Sequence, residues 1–289
     1  MNLIIELSKL NLDLSKKEAL ILLGNPKHKL VKNYLQIEMP NAQSALKKIS
    51  KSAFSKAVYQ TKFKLKKTDK VRLDIITIER RPDIKEGLEI IKGIKVDLKL
   101  FNKQICLLGF KKTIPALKIW ENRQKFDERK SHRLPKSHPT GIDPRVARAM
   151  LNLTTSNEVT DPFCGAGGIL IEGLLIKKKM KGIDVDPKMI TRAKENLKHF
   201  GLECLLKVAD STSISIKDSI VCDIPYGVNS SITQTQDKII QWLFRQKTKE
   251  IVICTNKTIR ARNSFTKEFS TQIRIHKSLT RHIYLFKAR

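Results

Sequence analysis

The strongest constraint in this sequence is a short strand that runs into Asp161-Pro162-Phe163-Cys164-Gly165-Ala166-Gly167-Gly168 and then into a helix. Three glycines in four positions let a backbone turn tightly and approach a ligand that a Cβ would repel. A plain strand-to-helix turn does not need that density of glycine. The spacing is not GxGxxG, and no Gly-Lys-Ser/Thr follows, so the sequence carries neither a dinucleotide fingerprint nor a P-loop. The loop opens on an acid, which suits a ligand ammonium group better than a phosphate.

The pattern around this loop is regular. A helix over Pro144 to Leu153, with Asp143 as N-cap and Pro144 in its first turn, precedes the strand Glu158–Asp161. Then follow a helix over Ile169 to Lys178, a strand ending Gly182-Ile183-Asp184, and a helix over Pro187 to Phe200 capped by Asp186. Strands over Leu205–Asp210 and Ser219–Asp223, a helix over Asp237–Arg245, and strands over Glu250–Cys254, Gln272–His276 and His282–Phe286 complete the chain. Such alternation predicts an α/β fold with a mostly parallel sheet covered on both faces.

The first 120 residues read as a smaller α+β unit. Expected there are a strand over Leu3–Leu7, a helix ending at Gly24 and capped by Asp13 or Ser15, and a strand over Leu35–Met39. A helix over Ala42–Ala57 and strands near Asp74–Ile78 and Gln104–Gly109 follow. The polar, charged stretch at 121–137 reads as a linker, which leaves 138–289 as the second domain.

Three further acids sit where strands end. Asp184 follows Asp161 by 23 residues and can accept both ribose hydroxyls of a nucleoside; Asp186 competes for this role but suits a helix cap better. Asp210 can accept from an adenine amino group or be a solvated loop acid. Asp223 opens Asp223-Ile224-Pro225-Tyr226-Gly227, an acid, a stiffened turn and an aromatic at the edge of a parallel sheet where ligands bind.

The formal charge of +29 over 289 residues calls for a polyanionic partner, with a Lys-rich background composition as the alternative. Residues 1–130 carry +16 and residues 131–289 carry +13, so both halves share the excess. No apolar run approaches the ~20 residues of a membrane span. The N-terminus has no basic segment ahead of an apolar core, so a cytoplasmic protein without a membrane partner is expected. The five cysteines include no CxxC pair; they read as reduced, buried thiols, and no metal site is expected.

The run Asp223-Ile224-Pro225-Tyr226 resembles the signature of class I methyltransferases that modify exocyclic amines: an Asp or Asn, two prolines and an aromatic. His138-Pro139-Thr140-Gly141-Ile142-Asp143-Pro144-Arg145-Val146-Ala147-Arg148-Ala149 is similar to the corresponding stretch of the archaeal-type tRNA guanosine-10 N2-methyltransferases. The likeness covers roughly Phe126 to Phe286. Residues 1–120 resemble the family's THUMP half more loosely, through Gly93-Ile94-Lys95-Val96-Asp97-Leu98.

The resemblance implies a Rossmann-like methyltransferase domain with a seven-stranded sheet, S-adenosyl-L-methionine as cofactor, and tRNA as partner. Asp161, Phe163 and Gly165 would line the methionine end of the cofactor, and Cys164 and Gly167 would also bind it. Asp184 would hold its ribose and Asp210 its adenine. Asp223, the Ile224 carbonyl, Pro225 and the Tyr226 ring would hold the target base. Some relatives need a small zinc-binding activator subunit; a monomer is otherwise expected. Ile224 departs from the family's proline, and the expectation is a carbonyl held less firmly. The alternatives are an N6-adenine RNA or DNA methyltransferase and an inactive tRNA-binding protein.

Overall fold

Leu3, Ile4, Ile5 and Leu7 are all buried, as the first strand must be if both its faces are covered. The structure is a computed structural model that describes residues 1–137, 141–225, 236–262, 264–276 and 279–289. The chain divides into two units, Met1–Arg123 and Gln124–Arg289.

The first unit comprises β1 (Asn2–Leu7), α1 (Leu12–Leu23), β2 (His28–Val31), β3 (Tyr34–Glu38), α2 (Ala42–Ile49) and β4 (Ser55–Gln60). It continues through β5 (Lys70–Thr77), α3 (Ile84–Ile90), β6 (Lys95–Val96), β7 (Lys103–Gly109) and β8 (Thr113–Glu121). Its eight strands pair in the order β2-β3-β1-β4-β8-β7-β5-β6. Leu3, Ile5, Leu35 and Val58 pack with Ala19, Leu20 and Leu23 of α1 and with Ala45 and Ile49 of α2. The other face gathers Ile4, Tyr34, Tyr59, Cys106 and Leu108.

Two local expectations fail here. The cap of α1 is Asn11, whose Oδ1 accepts from the Leu14 N–H at 2.9 Å, while the Ser15 hydroxyl donates to the carbonyls of Ser8 and Asn11. The helix expected over Ala42–Ala57 stops at Ile49, and Ser55 onward is strand. The cause is remote: the carboxylate of Glu18, buried in α1, accepts from the Ala53 N–H at 2.7 Å, the Phe54 N–H at 3.0 Å and the Ser52 hydroxyl at 2.8 Å. Those amides are taken out of any helical ladder.

The second unit contains α4 (Pro144–Leu153), β9 (Glu158–Asp161), α5 (Gly168–Leu175), β10 (Lys179–Asp184), α6 (Pro187–His199), β11 (Leu205–Val208) and β12 (Ser219–Asp223). Then come α7 (Gln236–Leu243), β13 (Glu250–Thr255), β14 (Phe265–His276) and β15 (Leu279–Ala288). Asp143 and Asp186 cap α4 and α6 through their side chains, as their positions before Pro144 and Pro187 imply. The seven strands run β11-β10-β9-β12-β13-β15-β14. The first four neighbouring pairs are parallel; β15 lies antiparallel to both β13 and β14. The chain leaves β9 toward β10 on one side, and β12 takes the other side. The crevice between the ends of β9 and β12 is therefore the topological switch point, where open α/β sheets bind ligands.

Residues 124–137, expected within a linker, belong to this second unit. Phe126 is buried beneath the guanidinium groups of Arg129, Arg145 and Arg148, which lie 4.8, 5.3 and 5.6 Å from its ring centre. Arg129 and Arg148 also bind Glu172 of α5 at 2.5 and 2.6 Å, and Glu172 is 1% exposed. The charges of this stretch look like solvated linker in the sequence, but they partner a carboxylate that cannot be buried alone. Among the described residues, no helix is long and apolar enough to cross a membrane.

Candidate active site

Asp161 ends β9 and is 1% exposed; its Oδ1 accepts from the Phe163 N–H at 3.1 Å. The chain then turns through Gly165 and Gly167, both left-handed with φ of 50° and 89°. A Cβ on Gly167 would also press on Ala193 of α6 at 3.3 Å, so glycine is required there twice over. The turn hangs from Asp184 at the end of β10. One carboxylate oxygen accepts from the Gly165 N–H at 2.8 Å and the other from the Asp186 N–H at 3.0 Å. The Val185 backbone also hydrogen-bonds this carboxylate, and the acceptor capacity that remains is what a ribose hydroxyl would use.

The loop's remaining side chains divide by role. The Phe163 ring meets Trp242 edge to face at 6.1 Å. The Cys164 thiol is buried toward β10: a Cβ built on Gly182 would stand 3.1 Å from its sulfur. Burial pushes that thiol far above its ordinary range, so Cys164 can serve a ligand only through its backbone. Asp210 follows β11 and is exposed; its Oδ1 accepts from the N–H and hydroxyl of Thr212 at 2.9 and 2.7 Å. Both readings of Asp210 remain compatible with this cap, because the neighbouring Ala209 N–H is bound to the Asp184 carbonyl at 3.0 Å, beside the proposed ribose acceptor.

Asp223 ends β12, across the switch point from Asp161. Its carboxyl is pushed up to about 6 by burial, partly offset by the Arg281 guanidinium and the Cys254 thiol. Asp161 is pushed well above the usual carboxylate range, first by burial and then by the charges of Asp184 and Asp223. Burial likewise raises Asp184. Three carboxyls thus converge at one sheet edge, and the charges of Asp184 and Asp223 raise the cost of ionising Asp161. A bound cation lowers that cost, so the cluster suits a ligand carrying positive charge.

The turn after β12 shows how Ile224 is held. Its side chain is fully buried, and its N–H donates to the Cys254 carbonyl at 2.8 Å. The β12–β13 ladder thus runs one residue further than a proline would allow, and the backbone is held by a hydrogen bond instead of a ring. The Pro225 carbonyl accepts from the Gln236 side chain at 3.1 Å. Tyr226 lies outside the described residues, as do His138, Pro139 and Thr140.

Sequence reading missed Arg281, Cys254 and Gln236. Arg281 Nη1 stands 3.1 Å from Asp223 Oδ2, with the two side chains 11% and 17% exposed. The only local hint was a basic residue opening the final strand. Among the described residues, no cluster of metal-binding side chains occurs.

The family model described as UPF0020, RMKL-like, methyltransferase domain, matches residues 131–287. The chain belongs to this methyltransferase family. The acids at 161, 184, 210 and 223 all fall inside the RMKL-like match. A tRNA (guanine(10)-N2)-dimethyltransferase of Pyrococcus abyssi is 32% identical over 221 residues, 70% of this chain and 67% of that protein. Its namesake in Methanocaldococcus jannaschii is 32% identical over 57% of this chain and 52% of that protein. A third, in Methanothermobacter thermautotrophicus, is 36% identical over 38% of this chain and 35% of that protein. Among solved structures, TrmN from Thermus thermophilus is similar in fold over the full length of both chains, with a TM-score of 0.51 and 14% identity.

Proposed function

We propose that the protein transfers a methyl group from S-adenosylmethionine to the exocyclic N2 amine of a guanosine in tRNA, at position 10. The observation that carries this reading is the convergence of Asp161, Asp184 and Asp223 on the switch point beside an acid-Ile-Pro turn. The names of the relatives supply the substrate.

The donor set fits the cofactor. Its ammonium and sulfonium both carry positive charge, which a cluster of acids with raised pKa values can accept, and its ribose hydroxyls suit the acceptor capacity that Asp184 retains. When bound, S-adenosylmethionine would supply an electrophilic methyl group, whose bond to sulfur breaks as the transfer occurs and leaves a neutral thioether. The protein's part is positioning and electrostatics. An exocyclic amine is a poor nucleophile because its lone pair is delocalised into the ring. Asp223 and the Ile224 carbonyl are the two acceptors proposed for its two protons, which favours a pyramidal nitrogen and aims the lone pair. As the new N–C bond forms, the amine must shed a proton. Asp223, ionised above pH of about 6, is the group proposed to take it. Tyr226 is proposed to stack on the extruded base, a contribution of about 1–3 kcal/mol at comparable sites. Residues 1–120 are proposed to act as a THUMP-like module for the tRNA, in a cytoplasmic protein; the charge of +16 on residues 1–130 supports this.

The test is incubation with labelled S-adenosylmethionine and unmodified tRNA, then mapping and nucleoside analysis. Label in N2-methylated guanosine at position 10 is expected. Label in N6-methyladenosine, or tRNA binding without transfer, would replace the reading with one of its alternatives. Asp223→Ala should slow single-turnover transfer about 10²–10³-fold while cofactor and tRNA bind within a few fold.

A further inference from the structure

Asp223 is held unevenly. Its Oδ2 accepts from Arg281 at 3.1 Å, while its Oδ1 is buried and has no hydrogen-bond partner among the described residues. A buried carboxylate oxygen without a donor is costly and calls for an explanation. At a strand end on the switch point, that explanation is a ligand donor.

We propose that Arg281 is the positioning residue of this site: it ties down Oδ2 of Asp223, so that Oδ1 alone is presented to the target amine. This rests on the reading of Asp223 as the amine acceptor. The fold explains why an arginine is used. β13 stands between β12 and β15, and Cys254 of β13 is level with both Asp223 and Ile283. Arg281 lies two residues nearer the ligand edge than Ile283, on the same face of β15. Its side chain must therefore span the width of β13. A guanidinium has the reach and several donors in a rigid fork; an ammonium is a point charge that fixes no plane. The antiparallel course of β15 matters as well, because it brings the start of that strand, not its end, to the edge where the parallel strands finish. With Oδ2 fixed, the carboxylate cannot rotate freely, and the direction of its remaining acceptor is set before the base arrives.

The charged and titratable groups around Asp223 bear on the test. Arg281 faces it from β15, the Cys254 thiol from β13, and Asp161 lies across the switch point on β9, with Asp184 beyond. Burial keeps the thiols of Cys254 and Cys222 neutral throughout the relevant range. Asp161 also titrates above the usual range, but the causes of its shift are burial, Asp184 and Asp223 rather than Arg281. An acid limb that moves when Arg281 is changed therefore reports Asp223, directly or through the charge that Asp223 sets against Asp161. The sign is fixed: Arg281 draws the Asp223 carboxyl down, so removing it moves the limb to higher pH.

The experiment measures single-turnover methyl transfer against pH for the full chain, Arg281→Met and Arg281→Lys, with S-adenosylmethionine affinity measured separately. Arg281→Met should lose about 10–100-fold at neutral pH, comparable to or below the loss of one positioned electrostatic group, and its acid limb should move above about 6. Cofactor affinity should stay within a few fold. Arg281→Lys should keep the limb near its original pH and recover part of the rate; it also stands in should the Met variant fail to fold. An unmoved limb in Arg281→Met, or in its absence a full rate in Arg281→Lys, overturns the proposal. Absence of transfer by the unaltered protein would instead overturn the functional reading beneath it.

Discussion

Asp184→Ala tests two roles of one carboxylate. In the structure its two oxygens hold the N–H groups of Gly165 and Asp186 at 2.8 and 3.0 Å, so the glycine turn is suspended from the end of β10. Hydrogen bonds to a charged group contribute about 1.5–3 kcal/mol each, so the pair is worth roughly 3–6 kcal/mol before offsets. Burial raises the Asp184 carboxyl, which means that truncation also relieves a desolvation cost. A net loss of about 2–4 kcal/mol in unfolding free energy is expected, because the released N–H groups are only partly shielded from water. Urea denaturation followed by two spectroscopic probes would read it. Asp184→Asn keeps one acceptor and turns an NH₂ toward an N–H, so about half of that loss is expected. Cofactor affinity, measured by calorimetry on the folded fraction, should fall about tenfold or more in the Ala variant as the ribose acceptors vanish. An Asp184→Ala protein as stable as the parent would refute the suspended turn. A destabilised variant with unchanged cofactor affinity would refute the ribose role.

Ile224→Pro restores the residue that the family signature favours, yet it removes the N–H bound to Cys254 at 2.8 Å; a loss of about 1–3 kcal/mol and slower transfer are expected, and a stabilised variant would contradict the ladder extension. Glu172→Ala leaves Arg148, 2% exposed, without its carboxylate, so thermal and chemical denaturation should show about 3–5 kcal/mol of destabilisation, with an unaltered stability speaking against the network. For tRNA binding, roughly five phosphate contacts would give a log–log salt slope of about −3.5, and a flat response in fluorescence titrations would remove the electrostatic account of the +29 charge.

The second unit was legible because its signals are local. A strand period, a glycine turn and capping acids before Pro144 and Pro187 all act within a few residues, and β9 and β12 fall on the bounds expected of them. Asp161, Asp184 and Asp223 each end a strand, as expected, whereas Asp210, expected to end one, lies beyond β11, which stops at Val208. The first unit read less well. Its helix α2 is cut short by Glu18, a residue on another helix, and β8, for which no strand was expected, exists because it pairs with β4 on one side and β7 on the other.

By itself the sequence determined which segments alternate, where the chain must turn through left-handed glycines, and which carboxylates stand at strand ends. The tertiary structure alone decided what those carboxylates face. The Arg281–Asp223 pair joins residues 58 apart, and it exists only because β15 reverses beside β13 and carries an arginine to the ligand edge. Likewise, Glu172 makes a partner of Arg129, which the sequence presents as one more charge in a solvated stretch. Periodicity is set by the backbone's own geometry, so it is written residue by residue. Strand order and register are set by burial of whole faces against one another, and no short window of sequence contains them.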